Sequence, residues 1–248
     1  MNLSFYVRRS GALRCLFDRL VFKLRSTPQC WAPIQAAVRD RHGIEIGGPS
    51  PIFEPDGALP LYPIVGSLAN YGFQAAEGTF LFSGRTGPSH ACEASALPRG
   101  DATCDFVLSS HVLEHMANPL QALREWQRVL KPDGHLLLLL PHGARTFDHP
   151  RKTTSWEHLV ADFAAATPET DRTHIAEALA LTDTRHWTFN EWPGWRSYYE
   201  NNVEARSIHH HVFDMRLAKK AVSFSRFRVL ASELVFPFHL VILAVKQP

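Results

Sequence analysis

Residues 105–141, DFVLSSHVLEHMANPLQALREWQRVLKPDGHLLLLLP, decide how this chain folds. Phe106, Val107 and Leu108 form one short apolar run and the leucines at 136–140 another, each bounded by polar or turn residues. Such runs are how strands buried on both faces of a parallel sheet look in sequence. Between them stands a helix. Asn118 is a good N-cap, Pro119 suits the first helical position, and Leu120, Leu123, Trp126 or Gln127, and Leu130 recur at helical spacing. Pro132, Asp133 and Gly134 then stop the helix and turn the chain. Strand, crossover helix and strand together imply an α/β sheet with right-handed crossovers.

The motif inside this unit is specific. Ser110-His111-Val112-Leu113-Glu114-His115, then Asn118-Pro119, then Val129-Leu130-Lys131-Pro132-x-Gly134 and an apolar strand resemble the fourth strand, helix and fifth strand of class I S-adenosylmethionine-dependent methyltransferases. The resemblance is strongest to the small-molecule group called type 11. It implies an α/β, Rossmann-like, seven-stranded and mostly parallel sheet with an antiparallel last strand, helices on both faces, and S-adenosyl-L-methionine as cofactor. In such a fold Ser110, His111, Glu114 and His115 lie beside the cofactor. A pairing of Glu114 and His115 that only locks the loop to the next helix is an equal reading.

Upstream, Glu45-Ile46-Gly47-Gly48-Pro49-Ser50 closes an apolar stretch. By the resemblance this is the acidic end of the first strand and its glycine turn, where bare backbone approaches the cofactor. Glu45 would sit near the cofactor's amino group, with Gly47, Gly48, Pro49 and Ser50 beneath its amino-acid moiety. The family's third glycine is absent, and Pro49 and Pro51 delay the following helix. Residues 59–65 read as the second strand, which puts Asn70 at the ribose position where the family has an acid; Tyr62 or Phe73 would cover the ring. Thr79, Phe80, Leu81 and Phe82 suggest an extra strand. Glu93 and Ala94 open a stretch similar to the adenine loop, with an exposed acidic loop as the alternative.

Downstream, residues 142–211 carry many histidines and aromatics and read as a helical insertion, a lid over the acceptor. Thr154-x-x-Glu157 is a capping box for a helix through Phe163, and another helix runs from Thr167 to about Leu181. Residues 212–220 form a helix, and residues 227–235 and 238–245 form two strands that a short link makes antiparallel. The domains are therefore an N-terminal helical extension (1–40), a cofactor-binding core (41–141), the lid (142–211) and the end of the core sheet (212–248). Residues 141–149 and 209–214 also resemble a bacterial branch of the group, which names no acceptor.

Methyl transfer needs an attacking atom aligned with the cofactor's methyl, and a base if that atom is a hydroxyl. His142, at the carboxyl end of a strand, is the first candidate base, with Asp148 or His149 orienting it and His210 competing. The 14 histidines leave metal binding, proton transfer and structural hydrogen bonding all open, but none has zinc-motif spacing, so no metal ligand is assigned.

Composition narrows the partners. With 26 basic against 24 acidic residues there is no basic excess for nucleic acid; the resemblance to the type 11 group implies a small-molecule acceptor. Cys15, Cys30, Cys92 and Cys104 lack CxxC spacing and read as free thiols in a reducing cytoplasmic compartment. No apolar run nears the roughly 20 residues of a membrane span. The start is basic and amphipathic, but Arg14, Asp18, Arg19 and Lys23 break any secretory core. It reads as a helix over residues 4–25 that packs on the sheet or the site, contacts a second copy in a homo-oligomer, or touches a membrane surface. Two other functions stay open: a non-catalytic binding protein that kept the fold, and a metal-requiring or non-methylating enzyme that consumes the cofactor.

Overall fold

A computed structural model of the chain describes residues 28–75, 77–190 and 193–248; the expected helix over residues 4–25 lies outside them. Fifteen elements concern the argument. In chain order they are α1 (Trp31–Val38), β1 (His42–Ile46), β2 (Ser67–Gly72), β3 (Gly78–Phe82), β4 (Arg85–Ala91), β5 (Cys104–Ser110), α2 (Pro119–Val129) and β6 (Leu130–Pro141), then α3 (Trp156–Ala165), α4 (Ile175–Leu181), α5 (Trp195–Glu200), α6 (Asn202–Ala205), α7 (Met215–Phe224), β7 (Phe227–Val235) and β8 (His239–Lys246).

The strands form one sheet in the order β3-β4-β2-β1-β5-β6-β8-β7. Strands β4, β2, β1, β5 and β6 pair in parallel, and β8 runs antiparallel to both β6 and β7. The sheet has eight strands rather than seven because β3 pairs antiparallel with β4 as an added edge, at the residues expected for an extra strand. The central leucines show why the sheet is covered on both sides. Leu136, Leu138 and Leu140 join the cluster beneath α2, α3 and α7, while Leu137 and Leu139 join the one beneath α1 and the loop before β2. Alternation with period two sends successive side chains to opposite faces, so an unbroken apolar run is what two buried faces require.

Helix α2 is built from local signals. The Asn118 side chain accepts from the Gln121 amide at 3.1 Å, Pro119 is the first residue, and Leu120, Leu123 and Trp126 are fully buried. Trp126 rather than Gln127 thus completes the apolar face. The helix ends at Val129, and Leu130 already pairs with Cys104 as the start of β6. The turn that follows places Asp133, not Gly134, at positive φ.

The structure departs from the expected elements in three places. The second strand is Ser67–Gly72, whereas residues 59–65 are irregular; Leu59, Leu61, Tyr62 and Val65 pack under the sheet as filling for the face that α1 leaves uncovered. Apolar content there reports burial without strand pairing, and β2 itself (SLANYG) carries no apolar run. Helix α3 is capped by Ser155, which accepts from His158 N at 3.2 Å, while Thr154 Oγ1 accepts from Val212 N. The helix expected from Thr167 begins only at Ile175, and the aromatic segment supplies the short helices α5 and α6.

Residues 142–211 leave the sheet at its carboxyl edge. Helix α3 packs on α2 and adds Leu159 to the main core. The rest forms a small cluster of its own around Ile175, Phe189, Trp195, Tyr199 and Ile208. Among the described residues no helix is long and apolar enough to cross a membrane.

Candidate functional site

The loops after β1 and β5 meet at one edge of the sheet, as the resemblance implied. Ile46 is registered with Ser109 in the parallel β1–β5 pair, and both chains then turn outward. Gly47 has φ +76°, its N–H donates to Tyr71 O at 2.8 Å, and a Cβ added there would fall 2.4 Å from Val112 Cγ2. Glycine is therefore required twice over, by conformation and by the approach of the β5 loop. Gly47 and Pro49 are exposed, and His111 and Val112 are half-buried, so bare backbone faces solvent where the cofactor was expected.

Behind that face the loop is braced from within. The Gly48 N–H donates to Asn70 Oδ1 at 2.9 Å, and Asn70 Nδ2 donates to Ser89 Oγ at 3.4 Å. Asn70 is buried and spans β1, β2 and β4; with β2 shifted, Phe73 and Gln74 follow the strand end instead. Glu45 is fully buried. It accepts from Ser50 N at 3.1 Å and from the Tyr62 hydroxyl at 2.7 Å, and a Cβ on Gly48 would strike its carboxylate. Burial pushes the Glu45 carboxyl up to about 7 despite these donors. Tyr62, expected over a ring, is sealed in the core beside it.

Glu93 and Ala94 occupy the loop after β4. Ala94 O accepts from Trp126 Nε1 at 2.9 Å, which ties this loop to the centre of α2. Glu93 is bound by Arg206 at 2.7 Å, and Arg206 also reaches Glu169 at 2.8 Å and lies over the Phe73 ring. The segment after α6 therefore crosses the same edge of the sheet. Nothing in the sequence singled out Arg206, a lone basic residue between two short helices.

The histidines sort into distinct environments. His142 is half-buried; its N–H donates to Phe238 O at 2.8 Å and its Nδ1 has no hydrogen-bond partner among the described residues. The structure gives it neither expected orienting group. Asp148 is taken by His209 Nδ1 and by Arg151 at 3.0 Å, and His149 pairs with Asp183 at 3.0 Å on the surface. That pair lies beside an open depression of about 350 Å³, remote in sequence from the glycine loop and lined by none of its residues. His210 is buried; its Nε2 accepts from Asn202 Nδ2 at 3.0 Å, and burial together with His174 lowers it to about 3.

Ser110 is buried at the end of β5, and His111 follows at φ +56° with its Nε2 2.8 Å from His239 Nδ1. Next comes Glu114, fully buried, with His111 Nδ1 at 3.4 Å and the Nε2 atoms of His115 and His209 each at 4.0 Å from Oε1. Burial alone would raise the Glu114 carboxyl, but these three imidazoles hold it below its usual value. Burial and His209 lower His115 to about 4, whereas Asp148 outweighs burial and raises His209. On a strand His209 would share a ligand-bearing face with His211; the structure turns His209 alone toward Glu114 and sets His211 Nε2 3.2 Å from Ala117 O.

Comparison with known proteins agrees with the fold. Residues 82–138 match the family model described as a methyltransferase domain. An S-adenosylmethionine dependent methyltransferase from Mesorhizobium loti is similar in structure, with a TM-score of 0.51 at 12% identity over 88% of this chain and 97% of that one. A SAM dependent methyltransferase from Aquifex aeolicus gives a TM-score of 0.46 at 11% identity over 99% and 98% of the two chains. An uncharacterized 37.1 kDa protein in transposon TN4556 of Streptomyces fradiae is 42% identical over 55 residues, 22% of this chain. The match spans only 16% of that relative's length. The chain thus carries the class I fold of S-adenosylmethionine-dependent methyltransferases.

Proposed function

From that fold and its exposed glycine turn, we propose that the chain is an S-adenosylmethionine-dependent methyltransferase acting on a small-molecule or saccharide-like acceptor. The observation that carries this reading is the meeting of Gly47 with Val112, which leaves unclothed backbone at the carboxyl edge of adjacent parallel strands. When bound, the cofactor supplies an electrophilic methyl group.

The chain's own residues would hold and orient. Gly47 and Gly48 offer backbone to the amino-acid end, the stretch at Glu93 and Ala94 faces the base, and exposed Phe73 is the ring available beside it. Glu45 and Asn70, engaged inside the loop, act by shaping it. His142 remains the candidate base, because its Nδ1 is unpartnered next to the end of β6. We read the acceptor as small from the type 11 resemblance, the protein as cytoplasmic from its free thiols, and residues 142–211 as the lid.

Calorimetric titration with S-adenosylmethionine and S-adenosylhomocysteine tests the reading. Micromolar binding that Gly47→Val abolishes supports it, and absence of binding to the folded chain overturns it. A second reading, a binding protein without turnover, is favoured by the internal engagement of the Glu45 carboxylate. Methyl transfer to any acceptor excludes it.

A further inference from the structure

Glu114 poses a problem that the methyltransferase reading leaves unsolved. Its carboxylate is fully buried and neither oxygen has a hydrogen-bond partner among the described residues. An unsatisfied buried carboxylate is among the costliest groups a protein can hold. Three imidazoles surround it: His111 Nδ1 at 3.4 Å, beyond hydrogen-bond geometry, and the Nε2 atoms of His115 and His209 at 4.0 Å. His115 Nδ1 lies 2.8 Å from Ile208 O, and a carbonyl only accepts, so Nδ1 carries the proton and Nε2 presents a lone pair. His209 Nδ1 is bonded to the Asp148 carboxylate, so in the neutral ring its Nε2 presents a lone pair in the same way. With both imidazoles neutral, three acceptors converge, and a metal ion is one group that would relieve their repulsion, a proton on His209 the other.

We propose that Glu114, His115 and His209 form a site for one divalent transition-metal ion. The three donor atoms lie within 4.8 Å of one another, and Glu114 Oε1 is 4.0 Å from each Nε2. Two donors each about 2.1 Å from a shared ion stand at most about 4.2 Å apart. Opposed ligands alone reach that limit; tetrahedral donors stand about 3.4 Å apart, so binding must draw both imidazoles closer to Glu114 than the 4.0 Å they show. Two imidazoles and one carboxylate suit zinc, iron(II), manganese or cobalt, and leave positions for water or an oxygen of a ligand.

The surroundings are those of a supported ligand set. Asp148 holds the far nitrogen of His209, Arg151 holds Asp148 at 3.0 Å, and the same guanidinium binds His209 O at 2.8 Å. Carboxylate–histidine buttressing of this kind fixes tautomer and ring direction for a metal. The His211 amide donates to Glu114 O at 3.2 Å and so keeps the 209–211 segment against the β5 loop. The other two histidine groups among the described residues are less apt. Both contain His174, whose Nε2 is already spent on His158 Nε2 at 3.0 Å.

The test uses the full chain, stripped with a chelator and titrated with cobalt(II), with absorption in the visible and calorimetry as readouts. The expected result is one tight equivalent per chain and a higher Tm with metal. Glu114→Gln and His209→Gln should each weaken binding at least 100-fold, Asp148→Asn by 10–100-fold, and His158→Gln should leave it unchanged. Circular dichroism establishes that each variant is folded; if one is not, His115→Gln takes its place. No cobalt binding by the folded parent overturns the proposal, as does binding that survives Glu114→Gln or is lost in His158→Gln. Binding of S-adenosylhomocysteine, measured separately, reports on the cofactor reading alone.

Discussion

The Gly48 amide donates to Asn70 Oδ1 at 2.9 Å, so the side chain at the expected ribose position instead holds up the glycine turn. Asn70→Ala takes the acceptor from the half-buried Gly48 N–H, which costs about 0.5–1.5 kcal/mol. Urea unfolding should show that loss, and calorimetry a weaker S-adenosylhomocysteine affinity. An unchanged affinity would mean that this turn does not carry the cofactor.

Gly47→Ala meets two obstacles, a positive φ of 76° and Val112 Cγ2 at 2.4 Å. The left-handed conformation costs a side chain roughly 1–2 kcal/mol, and the overlap adds to it. Val112→Ala should relieve the overlap but not the backbone strain. A double-mutant cycle of unfolding energies is therefore expected to give a favourable coupling of about 0.5–3 kcal/mol; additive single effects would contradict the packing described.

Glu45 makes stability depend on pH. Its folded value of about 7 lies above the ordinary 4.5, so its contribution is whole below pH 4.5 and is lost as pH rises through 7. The full loss is about 3 kcal/mol at 1.36 kcal/mol per unit. Glu45→Gln should flatten this part of the profile and be relatively stabilised at pH 8. Parallel profiles for parent and variant between pH 5 and 8 would count against a protonated Glu45.

Trp126→Phe retains most of the buried ring but leaves Ala94 O without its 2.9 Å donor. A cost of about 1–3 kcal/mol is expected, against about 3–5 for Trp126→Ala. Because Ala94 belongs to the loop assigned to adenine, the Phe variant should also bind S-adenosylhomocysteine more weakly. Tm and calorimetry measure the two effects separately.

Arg206 links Glu93 at the sheet edge to Glu169 in the insertion. Arg206→Ala should strip both ion pairs and raise hydrogen exchange in residues 202–208, with Arg206→Lys intermediate. Exchange that does not change would show that the crossing is held by the apolar cluster at Ile208 alone.

Much of the core was legible because its signals are local. The Asn118 cap, the apolar face of α2 and the all-leucine strand each report the burial of neighbouring residues, and the short link before β8 forces an antiparallel pair. The second strand was misplaced for a physical reason: residues 59–65 are as apolar as a strand, yet they satisfy burial by filling beneath the sheet, while Ser67–Gly72 earns its pairing from position alone. At the proposed site, the sequence pointed to Glu45, Gly47, Gly48 and the β5 loop, which the structure brings to one sheet edge, but could not tell that Glu45 and Asn70 would be consumed internally.

By itself the sequence determined an α/β sheet and its central crossover, since burial on two faces leaves its record in adjacent residues. Only the tertiary structure decided that Asp148 serves His209 across 61 positions and that His209 turns to Glu114. Partnership between polar groups depends on the path of a whole insertion, and no local periodicity encodes that path.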